Sequence, residues 1–188
     1  MQSTNGLCKI VASIEKSIDL NVSFKSVTER YYTKRYFVNK DGEEDHCIMF
    51  HSNRICLVTL AEGHPVLKGE KNVAKIDFQV STKVDRMKNK VSGKSKHGAQ
   101  CLQSSSPLCF IECEDGSKYT VKSCLKGKLV EMNDNLVDNP NLLVTKPYTE
   151  GYIAIVLPSI SSSEEQKKEL LSYEEYQEIL SERSHVNM

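Results

Sequence analysis

Apolar positions along the chain fall into three textures. Over residues 1–27, Ile and Val are scattered among Ser, Asn and Lys without a helical or strand period, which predicts a loosely ordered N-terminal segment. Between residues 28 and 158 the apolar positions gather into short runs, at 31–38, 47–50, 55–61, 73–81, 108–112, 118–123, 127–132 and 151–157. These runs are rich in β-branched and aromatic side chains, which fit a pleated surface. Turn formers separate them: Asn39-Lys40-Asp41-Gly42, Ser52-Asn53 and Glu62-Gly63-His64-Pro65. Asp115-Gly116, between two runs, is a residue pair that supplies the positive φ angles of a tight hairpin. Many short strands at close spacing predict a mainly β domain, a small antiparallel barrel or sandwich rather than alternating βαβ units. Residues 133–137 predict one helical turn, ended at Asn139-Pro140 because the residue before proline is pushed out of the helical region.

Beyond Pro158 the pattern turns helical, and residues 159–188 form an acidic amphipathic tail. Two capping boxes are predicted, Ser163 with Gln166 and Ser172 with Glu175. In the second helix Tyr173, Tyr176, Ile179, Leu180 and Arg183 recur at spacings of three and four, opposite Glu174, Glu175, Glu178 and Glu182.

Charge changes this picture more than composition does. The 188 residues carry 25 Lys+Arg and 25 Asp+Glu, so an overall basic field for nucleic acid is missing and nucleic acid is not expected as a direct ligand. The neutrality is a sum of opposites: the tail has seven acidic and three basic residues, whereas residues 83–98 (KVDRMKNKVSGKSKHG) carry six Lys or Arg and one Asp. A solvated loop, or docking of the tail against it, accounts for that charge. So does a footprint for an acidic partner, such as an actin surface, a phosphate backbone or a phosphoinositide head group. No window approaches the roughly 20 apolar residues of a membrane span, and the N-terminus lacks the order of a secretory signal, which predicts a cytosolic or nuclear protein.

The search for chemistry returns little. Seven cysteines include no Cys-x-x-Cys pair and read as reduced, mostly buried thiols, with a zinc site from Cys109, Cys113 and Cys124 together with a histidine as the sharper alternative. The nearest catalytic constellation is Asp45, His46, Cys47 and His51, but an odd separation on a strand sends the two imidazoles to opposite faces. Glu43-Glu44-Asp45 belongs to a turn. There is no Gly-x-Ser-x-Gly, phosphate loop or His-Glu-x-x-His, so no enzyme, metal or cofactor is predicted.

The residues themselves carry a resemblance. EDHCIMFHSNRICLVTLAEGHPVL (44–67), NKVSGKSKHGAQ (89–100) and the run 117–158, with YTVKSCLKGKLVEMNDNL and KPYTEGYIAIVLP, resemble the Abitram family, the actin-binding transcription modulators also called Simiate. The likeness covers roughly residues 31–158. A more distant one is to the C-terminal part of the glycine-cleavage H-protein, carried by SCLKGKLVEMNDNLVDNPNLL and PYTEGY. That family has a lipoyl-domain-like barrel-sandwich hybrid fold. Aligning Ser123, Gly127, Glu131 and Asn133 with its SPxSGxVxExN segment puts the lipoyl-lysine position at or near Gly116. Lys118 lies two residues away without the flanking Glu-Ser-Val and Ala-Ala, and Tyr152 stands where the H-protein has tryptophan. The resemblance thus implies a retained scaffold without carrier chemistry.

What the Abitram resemblance implies is a non-enzymatic protein that binds monomeric and filamentous actin and regulates polymerisation, filopodia dynamics and dendrite branching. It also implies nuclear protein partners and residence in cytoplasm and nucleus, including nuclear speckles, lamellipodia, growth cones and dendrites. Two features of this chain suit an actin contact: the basic residues Arg86, Lys88, Lys90, Lys94 and Lys96, and the helix residues Tyr176, Ile179 and Leu180 entering a groove, although packing on the barrel is the preferred reading of the helix because no Leu-Lys-Lys-Thr-like segment follows it. The alternative is a non-lipoylated H-protein-like adaptor, associated with actin indirectly, whose partner recognises the hairpin around Gly116.

Overall fold

The computed structural model describes Ser13, residues 24–39 and residues 44–186. Most of the loosely ordered segment expected at 1–27, Cys8, and the Asn39–Gly42 turn beyond Asn39 lie outside the described residues. The described chain begins with a helical turn that the pattern did not reveal, α1 (Val27–Tyr31), closed by a capping box between Ser26 and Glu29. Strands β1 (Tyr32–Phe37), β2 (His46–His51) and β3 (Cys56–Leu60) follow as an antiparallel meander. After the short α2 (Pro65–Lys68) and β4 (Val73–Asp77) come a long loop, β5 (Cys101–Leu102), β6 (Pro107–Cys113), β7 (Lys118–Lys122) and β8 (Gly127–Met132). Helical turns α3 (Asn135–Asp138) and α4 (Leu142–Thr145), strand β9 (Ala154–Leu157) and helices α5 (Ser163–Glu169) and α6 (Tyr173–Val186) complete it.

The strands form two antiparallel sheets, ordered β1-β2-β3-β9-β8-β5 and β4-β6-β7. This is the mainly β, barrel-sandwich hybrid arrangement expected of the central region. Every residue of β3 is buried, as is every residue of β2 except His51, because both faces of these strands are covered. One face, with Ile48, Phe50, Val58 and Leu60, enters the main core between the sheets. The other, with Cys47, Met49, Leu57 and Ala61, packs in a second cluster with Tyr36 and Tyr176. Unbroken apolar runs such as Cys47–Phe50 therefore mark strands with two dry faces.

Edges are covered from elsewhere in the chain. Tyr36 exchanges both backbone hydrogen bonds with Leu171, laying the tail along β1. On β7, the Lys122 N–H donates to His46 Nε2 at 3.1 Å and the Thr120 N–H donates to Glu44 at 3.4 Å. Residues leading into the large sheet thus satisfy the free edge of the small one, which otherwise invites pairing with another chain.

Two local expectations need correction. In the β6–β7 hairpin only Gly116 has positive φ (+81°): Gly116 N–H donates to the Cys113 carbonyl and Cys113 N–H to that of Ser117, a three-residue turn of type I followed by glycine. The first predicted capping box also fails. Ser163 is buried inside α5, and the Gln166 amide turns to Lys126, accepting its N–H at 2.6 Å and donating to its carbonyl at 3.1 Å. The second box forms: Ser172 N–H donates to Glu175 at 2.7 Å and Glu175 N–H to Ser172 Oγ at 3.2 Å.

Candidate functional site

The hairpin tip that the H-protein resemblance assigns to a carrier lysine is occupied by Gly116, where an added Cβ would touch nothing. Its conformation is held by Asp115, which accepts from Lys71 Nζ at 2.7 Å, Ser117 Oγ at 2.5 Å and Ser117 N–H at 2.9 Å. Those bonds, Lys71's first, hold the Asp115 carboxyl well below the usual range, and the same contact raises Lys71. Lys118 projects from β7 and pairs with Glu112 at 3.3 Å. The residues at the turn do not fit a lipoyl group: the tip carries no amine, and the neighbouring lysines sit on strand flanks in ion pairs.

The basic loop is a built element. Arg86, expected among the actin-facing residues, is only 7% exposed. Its Nε donates to the Pro107 carbonyl at 3.0 Å and its Nη1 to Gln100 Oε1 at 2.7 Å. Gln100 Nε2 in turn donates to the Asp85 carbonyl, while Asn89 accepts the Gln100 N–H and donates to the Leu129 carbonyl. Arg86 is thus the internal strut of the loop, and the exposed charge belongs to Lys88, Lys90 and Lys94, with Lys96 half-buried. Lys88 pairs with Asp85 at 3.3 Å.

Beside this loop lies a cleft of about 670 Å³. Lys94 and Lys96 reach it from the loop, Arg54 from the β2–β3 turn, and Lys126 and Lys128 from the entry to β8. No Asp or Glu lines it; the remaining polar wall is Ser95, Gln103 and the serines 159, 161 and 162. Lys128 Nζ donates to the Ser95 carbonyl at 2.8 Å, and Arg54 Nη1 to that of Pro158 at 3.2 Å, which hold two walls in place. Arg54, Lys126 and Lys128 escape a sequence reading, since each is an isolated cation brought to the loop only by the β3-β9-β8-β5 order.

The tail helix is docked. Tyr176 is fully buried, its ring stacked on Tyr36 at 4.3 Å, and its hydroxyl donates to Asp45 at 3.1 Å while accepting the Gly63 N–H. Burial first, and then the Asp45 charge, push its phenol upward. Asp45 is fully buried and forms an ion pair with Arg183. Gly63 is required here, because a Cβ would stand 2.5 Å from Leu180 Cδ2 and 2.6 Å from the Tyr176 hydroxyl. Tyr176 is therefore a core residue of this docked state, and Ile179 and Leu180 are half-buried.

With this geometry in view, comparison with known proteins is decisive. The chain is 50% identical over 167 residues to Protein Abitram of Xenopus tropicalis, covering 88% of this chain and 91% of that protein. It is 49% identical over 160 residues to that of Homo sapiens (84% and 88% covered) and 38% identical over 160 residues to that of Dictyostelium discoideum (82% and 88%). The chain belongs to the Abitram family. Residues 84–183 also match the family model described as glycine cleavage H-protein. A crystal structure of a glycine cleavage system H protein from Mycobacterium marinum shares the fold, with a TM-score of 0.53 at 16% identity over 78% of this chain and 96% of that one.

Two of the histidines and all but one of the described cysteines of this Abitram-family chain are packed away. His46 and His64 are buried with ring centroids 6.2 Å apart, and burial holds them well below the ordinary imidazole value, at about 4 and about 3. Cys109 and Cys113 share a face of β6 that points into the core. Burial pushes the thiols of Cys47 and Cys56 up to about 12 and those of Cys109 and Cys124 further. Among the described residues no group of three or more His, Cys, Asp or Glu converges on a metal position.

Proposed function

We propose that this chain is a non-enzymatic actin-binding regulator of polymerisation that meets an acidic actin surface with its basic loop and cleft. Membership of the Abitram family supports the reading. The observation that carries it is the cleft: five cations and no carboxylate on one face of an H-protein-like scaffold whose hairpin tip holds glycine. Lys88, Lys90 and Lys94 extend that surface outward. Contact is electrostatic first and hence salt-sensitive, since the Debye length shrinks from about 30 Å at 0.01 M to about 8 Å at 0.15 M ionic strength.

The test is the time course of actin polymerisation with the full-length protein at low and physiological salt, beside a variant with Lys88, Lys90, Lys94 and Lys96 changed to Glu. The reading predicts an effect that weakens with salt and is absent from the variant. An effect that persists unchanged in the variant refutes it. No effect of the unaltered protein favours the adaptor, whose partner reads the rigid Asp115–Ser117 hairpin.

A further inference from the structure

The cleft contains a segment whose chemistry the binding reading leaves unused. Serines 159, 161 and 162 line it together with the five cations. Four serines among the described residues have a carboxylate three positions later: Ser26, Ser161, Ser162 and Ser172. Acidophilic kinases read such a pattern through their own basic residues. Ser26 and Ser172 are committed to capping boxes, and Ser162 is half-buried with its Oγ accepting from Gln166. Ser161 is exposed in a turn, beside Ile160 at 79% exposure, and is followed by the exposed Glu164 and Glu165.

We propose that Ser161 is a phosphorylation site for an acidophilic serine kinase, and that its phosphate is held by the cations of the cleft it lines. The transfer balances simply. Ser161 Oγ attacks the γ-phosphorus of ATP, a new O–P bond forms as the β,γ-bridging bond breaks, the hydroxyl proton is released and ADP departs. The product carries about −1.5 to −2 charge and three acceptor oxygens. Lys94, Lys96 and Lys126 supply ammonium donors around it, and no carboxylate in the lining opposes it. The modified segment becomes the occupant of the basic surface, so phosphorylation withdraws that surface from an acidic partner. This consequence rests on the actin reading; the modification and its docking do not.

Casein kinase 2 with ATP, applied to the full-length chain, should add one phosphate that tandem mass spectrometry maps to Ser161 and that Ser161→Ala lacks. By ³¹P NMR the second pKa of that phosphoserine, about 6 when free, should fall by about half a unit or more, and recover in Lys94→Gln/Lys96→Gln/Lys126→Gln. Phosphate absent from Ser161, or mapped elsewhere, overturns the site. A phosphoserine that titrates near 6 and ignores the lysine changes overturns the docking. Actin co-sedimentation of the phosphorylated chain is compared with that of the unmodified chain: failure of the unmodified chain alone removes the actin reading and leaves the NMR result standing.

Discussion

Mild acid should destabilise this protein through two buried histidines. His46 accepts the Lys122 N–H at Nε2, sits edge-on to Phe37, and has the Lys122 charge and the Glu44 segment nearby. His64 accepts the Val66 N–H at Nδ1, faces the Tyr119 ring at 5.2 Å and His46 at 6.2 Å, and its Nε2 has no partner among the described residues. Desolvation is the first cause of both depressed values, followed by Lys122 for His46 and by His46 for His64. An imidazole whose folded value lies below its unfolded one of about 6.5 is neutral in the native state, while the unfolded chain binds the proton. Stability therefore falls with pH from about 6.5 down towards the folded values, by up to about 1.4 kcal/mol per pH unit for each ring. Two rings give roughly 4 kcal/mol between pH 7 and pH 5, a large part of the 5–15 kcal/mol of an ordinary domain. The carboxyls of Asp115, Glu29 and Glu175 are also held below their ordinary values by their hydrogen bonds, and so keep their charge throughout that window. The assay is urea unfolding at pH 7, 6 and 5, beside His46→Gln/His64→Asn, whose amides reproduce the accepted bonds without titrating. A change below about 1 kcal/mol across that range, or an undiminished slope in the double variant, refutes the reasoning.

Further outcomes follow from particular contacts. Gly63→Ala should cost about 1–3 kcal/mol in thermal or urea unfolding and expose the tail to protease, because the new methyl meets a tyrosine pinned between Tyr36 and Asp45. Arg86→Ala should cost about 3 kcal/mol by removing the donors to the Pro107 carbonyl and Gln100 Oε1, and Arg86→Lys should not restore it, since an ammonium cannot make the forked pair. Among the described cysteines, Cys101 alone is exposed and should react with a thiol reagent in the native state, whereas Cys47, Cys56, Cys109, Cys113 and Cys124 should react only on unfolding.

Eight of the nine strands among the described residues coincide with the runs read from the apolar pattern, β2 and β6 extending one residue past theirs at each end, because each β-branched and aromatic run meets at least one dry face. The two-residue β5 has no period to read, and α2 begins at a proline behind a histidine that caps through Nδ1, a residue type outside the usual capping set. The first capping box slipped because three consecutive serines offer the same hydroxyl, and Gln166 was claimed by a backbone forty residues away. The basic loop was legible as charge but not as structure. Nothing in KVDRMKNKVSG says that Arg86 turns inward, since its partners Pro107 and Gln100 are supplied by other segments. For the same reason Tyr176 reads as a core residue first and a partner contact second, and only Tyr36 and Asp45, more than a hundred residues earlier, decide it by closing over the ring.

Docking of Tyr176 also decides how the central claim is tested, because cutting the chain after Pro158 would strip a fully buried ring from the second core cluster. The direct measurement is co-sedimentation of the full-length protein with filamentous actin, for the unaltered chain and for the variant with Lys88, Lys90, Lys94 and Lys96 changed to Glu. Circular dichroism verifies that both are folded. The account predicts at least about a tenfold weaker affinity for the variant at low salt, equivalent to about 1.4 kcal/mol, with the difference narrowing as salt rises. Equal binding of the two chains at every ionic strength contradicts it.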